Sequence, residues 1–273
     1  MRRSLALALL LVTFVGAGCA RDRVEDSVVM QWYDEEEDVE IGTGVMQQSL
    51  AEFQQKGIEY DTDQELTAKI REMVTRLAAV SHYPEFPWEA HLAEVDIVNA
   101  WCAPGGKIMV FRGLFDPQKG LVRSEDELAA VLGHEIAHAT CRHVTRGKSR
   151  ENMILVFAFP VLIAGAVVGA GDLTQVAVGG GLSLYLPKYS RGQESQADAV
   201  GMIYMAKAGY DPRAAPRLWK RAAETQGDEA SIFSTHPASG ERAEALDEAL
   251  PEALEIYEKT KGGGAGTGIG AGG

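Results

Sequence analysis

Cysteine is scarce in this chain. Its 273 residues contain three, so at most one disulfide is available and the fold must rest on a hydrophobic core. The 46% apolar content is enough for such a core at this length. Basic residues are also short, 26 Lys and Arg against 39 Asp and Glu, for a net charge of -13. A surface this acidic repels phosphate backbones, which argues against nucleic acid as a partner. Charge is missing altogether from two stretches. Leu5 to Val15 follows Arg2 and Arg3 and leads into Gly16-Ala17-Gly18, the pattern of a secretory signal and too short to span a bilayer as a mature helix. Met153 to Gly171 is 19 uncharged residues, close to spanning length.

What is present centres on His134-Glu135-Ile136-Ala137-His138. Histidines four apart on a helix project from one face, about 40° apart, and can reach one ion. Glu135, directly after the first histidine, can take a proton from water at that ion, so the pattern points to hydrolytic zinc chemistry. Ser124 and Glu127 form a capping-box signature that starts this helix at Ser124, and the periodicity carries it to about Arg146. His143 lies about 140° around from His138 on that helix and is expected at the surface. A metzincin would need histidine and glycine where Val144 and Cys141 stand, so that zinc class is excluded.

The remaining chain divides around this helix. Residues 1–18 are the signal, and Cys19 after Ala17-Gly18 resembles the lipobox cysteine of bacterial lipoproteins, although Gly16 stands where that pattern usually has Leu. Loss of 1–18 removes two arginines and no acid, which brings the net charge to -15. Residues 19–38 read as an acidic, solvated tether, and 39–261 as the folded domain. Helices fit Val39 to Gln55 and Asp63 to Val80, the latter with an Asp cap. Trp88 to Val98 and Lys107 to Phe111 read as strands of a small antiparallel sheet beside the zinc helix, turned by Pro104-Gly105-Gly106. The strand at Lys107 to Phe111 is the expected aligner of an extended substrate. Residues 153–187 are expected to form an apolar hairpin or lid, with two-pass insertion as the minority reading, because a lone crossing would separate later ligands from the zinc helix. Residues 262–273 form a glycine-rich disordered tail. Cys102 and Cys141 could be one disulfide or two buried thiols.

A third ligand is expected from Glu194, four residues before Asp198 on the next helix, with Asp198 free to hold a ligand histidine by its other nitrogen. Glu127 through His138, Tyr189-Ser190-Arg191 with Glu194 and Ala197-Asp198, Asn99-Ala100-Trp101, Ala208 through Pro212, and Thr235-His236-Pro237 together resemble the gluzincin metallopeptidases typified by HtpX, the CAAX prenyl endopeptidase and mitochondrial Oma. With its signal run and lipobox-like Cys19, the chain resembles among these the BepA-like and LoiP-like envelope lipoproteins. The resemblance covers about Val39 to Leu250, without helical repeats after it.

The resemblance implies an α+β fold, a mostly helical zincin-like domain with a small sheet. It implies one Zn2+ on His134, His138 and Glu194, with Glu135 as general base. Asp198 is read as the partner of a ligand histidine. His236 either stabilises the oxyanion or occupies the open zinc position, and Arg242 pairs with a nearby acid. The implied function is an envelope endopeptidase for misfolded or misassembled proteins. Its implied partners are polypeptide substrates, a membrane through a lipid on Cys19, and envelope assembly machinery, at the periplasmic face of the outer membrane. The alternative from another class is a self-inhibited or inactive peptidase-like chaperone that binds extended chains.

Overall fold

A computed structural model describes residues 19–150, 189–226, 236 and 240–264. The signal at 1–18, the apolar stretch at 153–187 and the tail beyond residue 264 lie outside them.

The described chain opens with a β-hairpin, β1 (Cys19–Arg21) and β2 (Val28–Met30), followed by helix α1 (Glu35–Lys56). Asp34 and Glu37 cap α1 reciprocally, and Gly57 ends it in the left-handed conformation. Helix α2 (Gln64–Ala79) starts at the Asp63 cap and buries Ile70, Met73, Val74 and Leu77. Three strands follow, β3 (Glu89–Ala93), β4 (Ala100–Ala103) and β5 (Lys107–Phe111), in spatial order β3-β5-β4. The hairpin β4–β5 is antiparallel, and β3 pairs parallel with β5. Gly105 turns the hairpin at φ 66°, and a Cβ there would lie 2.5 Å from the α1 backbone at Val39, so glycine also permits this close approach.

This is the expected mostly helical α+β architecture, with a mixed sheet. One correction concerns the substrate strand. Lys107 to Phe111 is central, paired on both sides, so it has no free edge to offer. Among the described residues the strand paired on one side only and packed near the zinc-motif helix is β4. It was concealed in a four-residue stretch, Ala-Trp-Cys-Ala, between longer apolar runs.

α1 covers one face of the sheet with Val45 and Met46 against Trp101, Ala103 and Met109. The opposite face carries Leu92, Ile108 and Val110 into the main core with α2 and helix α3 (Glu125–Thr140). Ser124 caps α3 by accepting from the Glu127 backbone, but Glu127 does not return the bond to Ser124. Its carboxylate accepts instead from the Arg123 N–H at 2.7 Å and from Arg221 at 2.8 Å. α3 is buried along almost its whole length and packs against α4 (Arg191–Lys207) and α5 (Ala214–Gln226). Helix α6 (Gly240–Gly264) closes the bundle over α4 and α5. Among the described residues no helix is long and apolar enough to cross a membrane.

Residues 19–38 do not form a solvated tether. Asp22 is buried in an ion pair with Arg146, Gln31 donates to Thr145 at 3.1 Å, and Asp38 is buried against Arg142. Cys102 and Cys141 are both free, buried thiols.

The helices of the bundle approach closely between Gly133 of α3 and Gly201 of α4. A Cβ on Gly201 would lie 2.7–2.8 Å from the carbonyl group of Gly133 and 2.8 Å from the His134 nitrogen. These are backbone atoms that cannot rotate away. Gly201→Ala gains about 1 kcal/mol of helix propensity but incurs an overpacking cost of about 1–3 kcal/mol, so urea unfolding should show net destabilisation. At Gly44 in α1 a Cβ meets nothing within 4 Å. Gly44→Ala should therefore stabilise by up to about 1 kcal/mol, and equal shifts for the two variants would contradict the packing described.

Candidate metal centre

α3 is amphipathic only in the sense that it is buried on every side, so its polar residues must find partners inside the protein. His134 and His138 leave it one turn apart and face α4, where Glu194 sits in the first turn and Asp198 one turn later. The Nε2 atoms of His134 and His138 are 3.1 Å apart, and His134 Nε2 is 3.2 Å from His236 Nδ1. Glu194 Oε1 lies 2.8 Å from His236 Nδ1 and 3.6 Å from His138 Nε2. One donor atom from each of His134, His138, Glu194 and His236 falls within 4.8 Å of all the others, in a group that could hold a metal ion.

The group fits a zinc ion chemically. Three imidazoles and a carboxylate are zinc donors, and packing imidazole nitrogens against one another is tolerable only where a shared proton or cation lies between them. Glu135 adds a second sign. Its Oε1 is buried without a hydrogen-bond partner and lies 3.6 Å from His236 Nε2, an orphaned acceptor of the kind a water at the site would satisfy.

Around the donors the arrangement is specific. His134 Nδ1 lies 2.8 Å from Asp198 Oδ1, the contact expected of an acid that orients a ligand histidine. Arg242 from α6 grips Asp198 with two hydrogen bonds of 2.8 and 2.7 Å, pairs with Glu194 at 3.0 Å, and stacks its guanidinium 4.0 Å over Trp219. Tyr189 packs on the His138 ring with centroids 3.8 Å apart. The sequence had marked Arg242 only as a residue with some acidic partner, and it carried no signal for Trp219.

His143 departs most from expectation. It is buried, with Nδ1 2.8 Å from His138 Nδ1 and Nε2 2.8 Å from Gln196 Oε1. The expectation of a surface histidine extended the helical phase through a break. α3 ends at Thr140, and Arg142 takes φ 54° before residues 143–150 become helical again. Left-handed backbone at arginine has no sequence signature comparable to glycine.

The electrostatics follow from burial set against these partners. For His134, burial opposes protonation, but the hydrogen bond and charge of Asp198, aided by Glu194, outweigh it and hold the ring up at about 9. For His138, burial and the neighbouring His134 and His236 push the ring well below its ordinary value. Burial raises Glu135, and the charge of Glu194 adds to the rise against His236 and His134. Glu194 and Asp198 are held low despite burial, Glu194 by His134, His236 and Arg242, and Asp198 by Arg242 and His134.

Known proteins are similar to this chain over about two thirds of its length. The model of Peptidase family M48 matches residues 64–250. The chain is 39% identical over 189 residues to the mitochondrial metalloendopeptidase OMA1 of Arabidopsis thaliana, covering 68% of this chain and 37% of that protein. It is 38% identical over 190 residues to OMA1 of Schizosaccharomyces pombe, covering 68% and 54%. It is 26% identical over 186 residues to the beta-barrel assembly-enhancing protease of Yersinia pestis, covering 65% and 37%. The match thus spans from about a third to about half of the length of these relatives.

Two tests of the geometry follow. Arg242→Leu leaves Asp198 and Glu194 buried without their guanidinium and should cost about 3–5 kcal/mol in urea unfolding; a change below about 1 kcal/mol would contradict the pairing. The second test is pH. Burial holds His143 down to about 4, against an ordinary 6.5. Between these values the unfolded chain binds a proton that the folded one refuses, so stability rises with pH there. The metal-free protein should lose unfolding free energy as pH falls from about 6.5 to about 4. His134 has the opposite sign, adding stability below its ordinary value that is lost as pH rises through about 9. Chemical denaturation across pH 4–10 should trace a maximum between these limits.

Proposed function

The chain belongs to Peptidase family M48, and from that membership we propose that it is a zinc-dependent endopeptidase of the bacterial cell envelope that degrades misfolded or misassembled proteins. The observation that carries the reading is the convergence of His134, His138 and Glu194 on one point beside the unpartnered oxygen of Glu135. His134, His138 and Glu194 would hold one zinc ion. Zinc held there supplies a Lewis acid that polarises a peptide carbonyl and makes water reactive at neutral pH.

Glu135 is the general base in this reading. It accepts the proton of the attacking water and returns it to the leaving amine. Burial raises its proton affinity, which suits a group that must both take and give a proton near neutrality. Asp198 accepts from His134 Nδ1–H and so leaves Nε2 as the donor atom, while Arg242 keeps Asp198 ionised. β4 rather than β5 is the strand suited to align a substrate. Its unpaired edge lies near α3, and the Cys102 backbone on it reaches the Glu135 carboxylate.

The envelope location and the lipid on Cys19 are supported by the run from Arg2 to Cys19. The choice of substrate is supported by the likeness to a protease named for β-barrel assembly. His236 stands as a fourth donor in the group, and a catalytic zinc keeps one position open for water. In that position His236 would hold the enzyme off and would have to withdraw before a substrate binds. A chaperone-like protein that holds extended chains would have the same resting arrangement, and activity separates the two.

Cleavage of an unfolded casein by wild-type protein, by Glu135→Gln and by wild type with a chelator tests the reading. Glu135→Gln should lower the rate by about 100-fold or more with zinc content and circular dichroism unchanged, and chelation should abolish cleavage with the fold retained. Equal cleavage in all three arms would sink the peptidase. His236→Ala should raise the rate, whereas a fall would assign His236 to the oxyanion.

A further inference from the structure

We propose that Glu25, Gln196 and His143 form a hydrogen-bond relay that selects the ring tautomer of His138, presenting its Nε2 to the metal. This rests on the metal-site reading and deepens it, because it assigns the N-terminal hairpin a part in metal affinity.

The relay begins at its outer end with Gln196. Gln196 Nε2 donates to Glu25 Oε1 at 2.5 Å, and Gln196 Oε1 lies 2.8 Å from His143 Nε2. Rotating the amide by 180° would set its oxygen against the Glu25 carboxylate, two acceptors without a proton between them. The carboxylate therefore fixes the amide with its oxygen towards His143. That oxygen can only accept, so His143 carries its proton on Nε2. His143 Nδ1 is then a lone pair, 2.8 Å from His138 Nδ1, and His138 must supply the proton of that contact. With Nδ1 protonated, neutral His138 has its lone pair on Nε2, the atom that faces His134 Nε2 and Glu194. The opposite amide orientation would reverse every step and place a proton on Nε2, where it blocks coordination.

The relay is built into the fold at both ends. His143 is buried and comes directly after the left-handed turn at Arg142. Glu25 lies between β1 and β2, in a hairpin tied to residues 143–150 by Asp22 with Arg146 and extended beyond it by Gln31 with Thr145 and Trp32 with Ser149. Gln196 is partly exposed on α4, between Glu194 and Asp198 in sequence but turned away from them towards the hairpin. His134 obtains the same tautomer from Asp198. Among the described residues His138 Nδ1 meets His143 and no carboxylate, and the relay takes that role. Partners that orient ligand histidines typically contribute 10- to 100-fold to metal affinity.

The test uses the full chain and reads metal binding instead of activity. Zn2+ affinity is measured by competition with a chromophoric chelator, and the Co2+ form is followed by its absorption spectrum. Gln196→Met keeps the side-chain length without an acceptor and should weaken binding about 10-fold, with an altered Co2+ spectrum. Gln196→Glu combined with Glu25→Gln, which keeps a donor between the two side chains, retains an acceptor towards His143 and should remain within about 3-fold of wild type. His143→Phe should weaken binding by about 10- to 100-fold, and thermal unfolding of each metal-free variant checks that it is folded. Gln196→Met binding as tightly as wild type, or the double variant as weak as Gln196→Met, would overturn the relay while leaving the metal site intact. Failure of the wild type to bind either ion would overturn the metal-site reading itself.

Discussion

The contact between Gly133 and Gly201 is the constraint on which the rest of this structure depends. A helix pair separated by ordinary side chains has axes 8–10 Å apart, and side chains pointing across such a gap meet at their tips. Here the backbones themselves touch, with a Cβ on either glycine falling within 3 Å of the other helix. His134, next to Gly133, and Glu194 and Asp198, two turns and one turn before Gly201, are therefore drawn onto one another. The two short carboxylates reach histidines on the facing helix because the helices are close. The separation of α3 and α4 sets the dimensions of the donor group before any ion contributes.

The second constraint is charge. Glu135, Glu194 and Asp198 are three carboxylates with almost no solvent access, and Arg242 is the guanidinium that pairs with two of them. Isolated buried carboxylates are costly, and the protein can offset them only with cations or protons. Without an ion, protons perform this role: burial raises Glu135, and His134 is held protonated to about 9 by Asp198 and Glu194. A divalent cation at the donor group would displace both protons and satisfy the same balance. The proposed zinc site and the perturbed proton affinities are thus two expressions of one excess of buried negative charge. Trp219 contributes by carrying Arg242 on its face, which lets a guanidinium stay dry at a point where four helices meet.

Much of this was legible in the sequence wherever local periodicity is the only information needed. His134 and His138 on one face, Glu194 and Asp198 on another, the caps at Asp63 and Ser124, and the helical bundle all follow from spacing of three or four. Features that depend on distant partners were not legible. The acids of residues 19–38 read as solvated because composition says nothing of Arg142 and Arg146, more than a hundred residues later, which bury Asp38 and Asp22. β4 was hidden because four residues are too few to show alternation, and so the central strand was mistaken for the edge. His143 was misplaced because a helical angle has meaning only while the helix continues.

The break after α3 shows how the outer half of the site is built. Arg142 stands in left-handed backbone, which costs a non-glycine residue roughly 1–3 kcal/mol, and nothing in α3 offsets this. The compensation comes from the N-terminal part of the chain. The Arg142 guanidinium pairs with buried Asp38 and donates to the Tyr33 and Asp34 carbonyls at 2.9 and 2.6 Å. Charged hydrogen bonds of this kind each contribute about 1.5–3 kcal/mol, enough to hold the turn. The turn in turn returns residues 143–150 alongside α4 and brings the His143 ring to His138. Residues 19–38 therefore act twice on one histidine, by anchoring the turn through Arg142 and by orienting Gln196 through Glu25. A segment whose composition reads as a tether is, in the folded protein, the outer wall of the candidate metal centre.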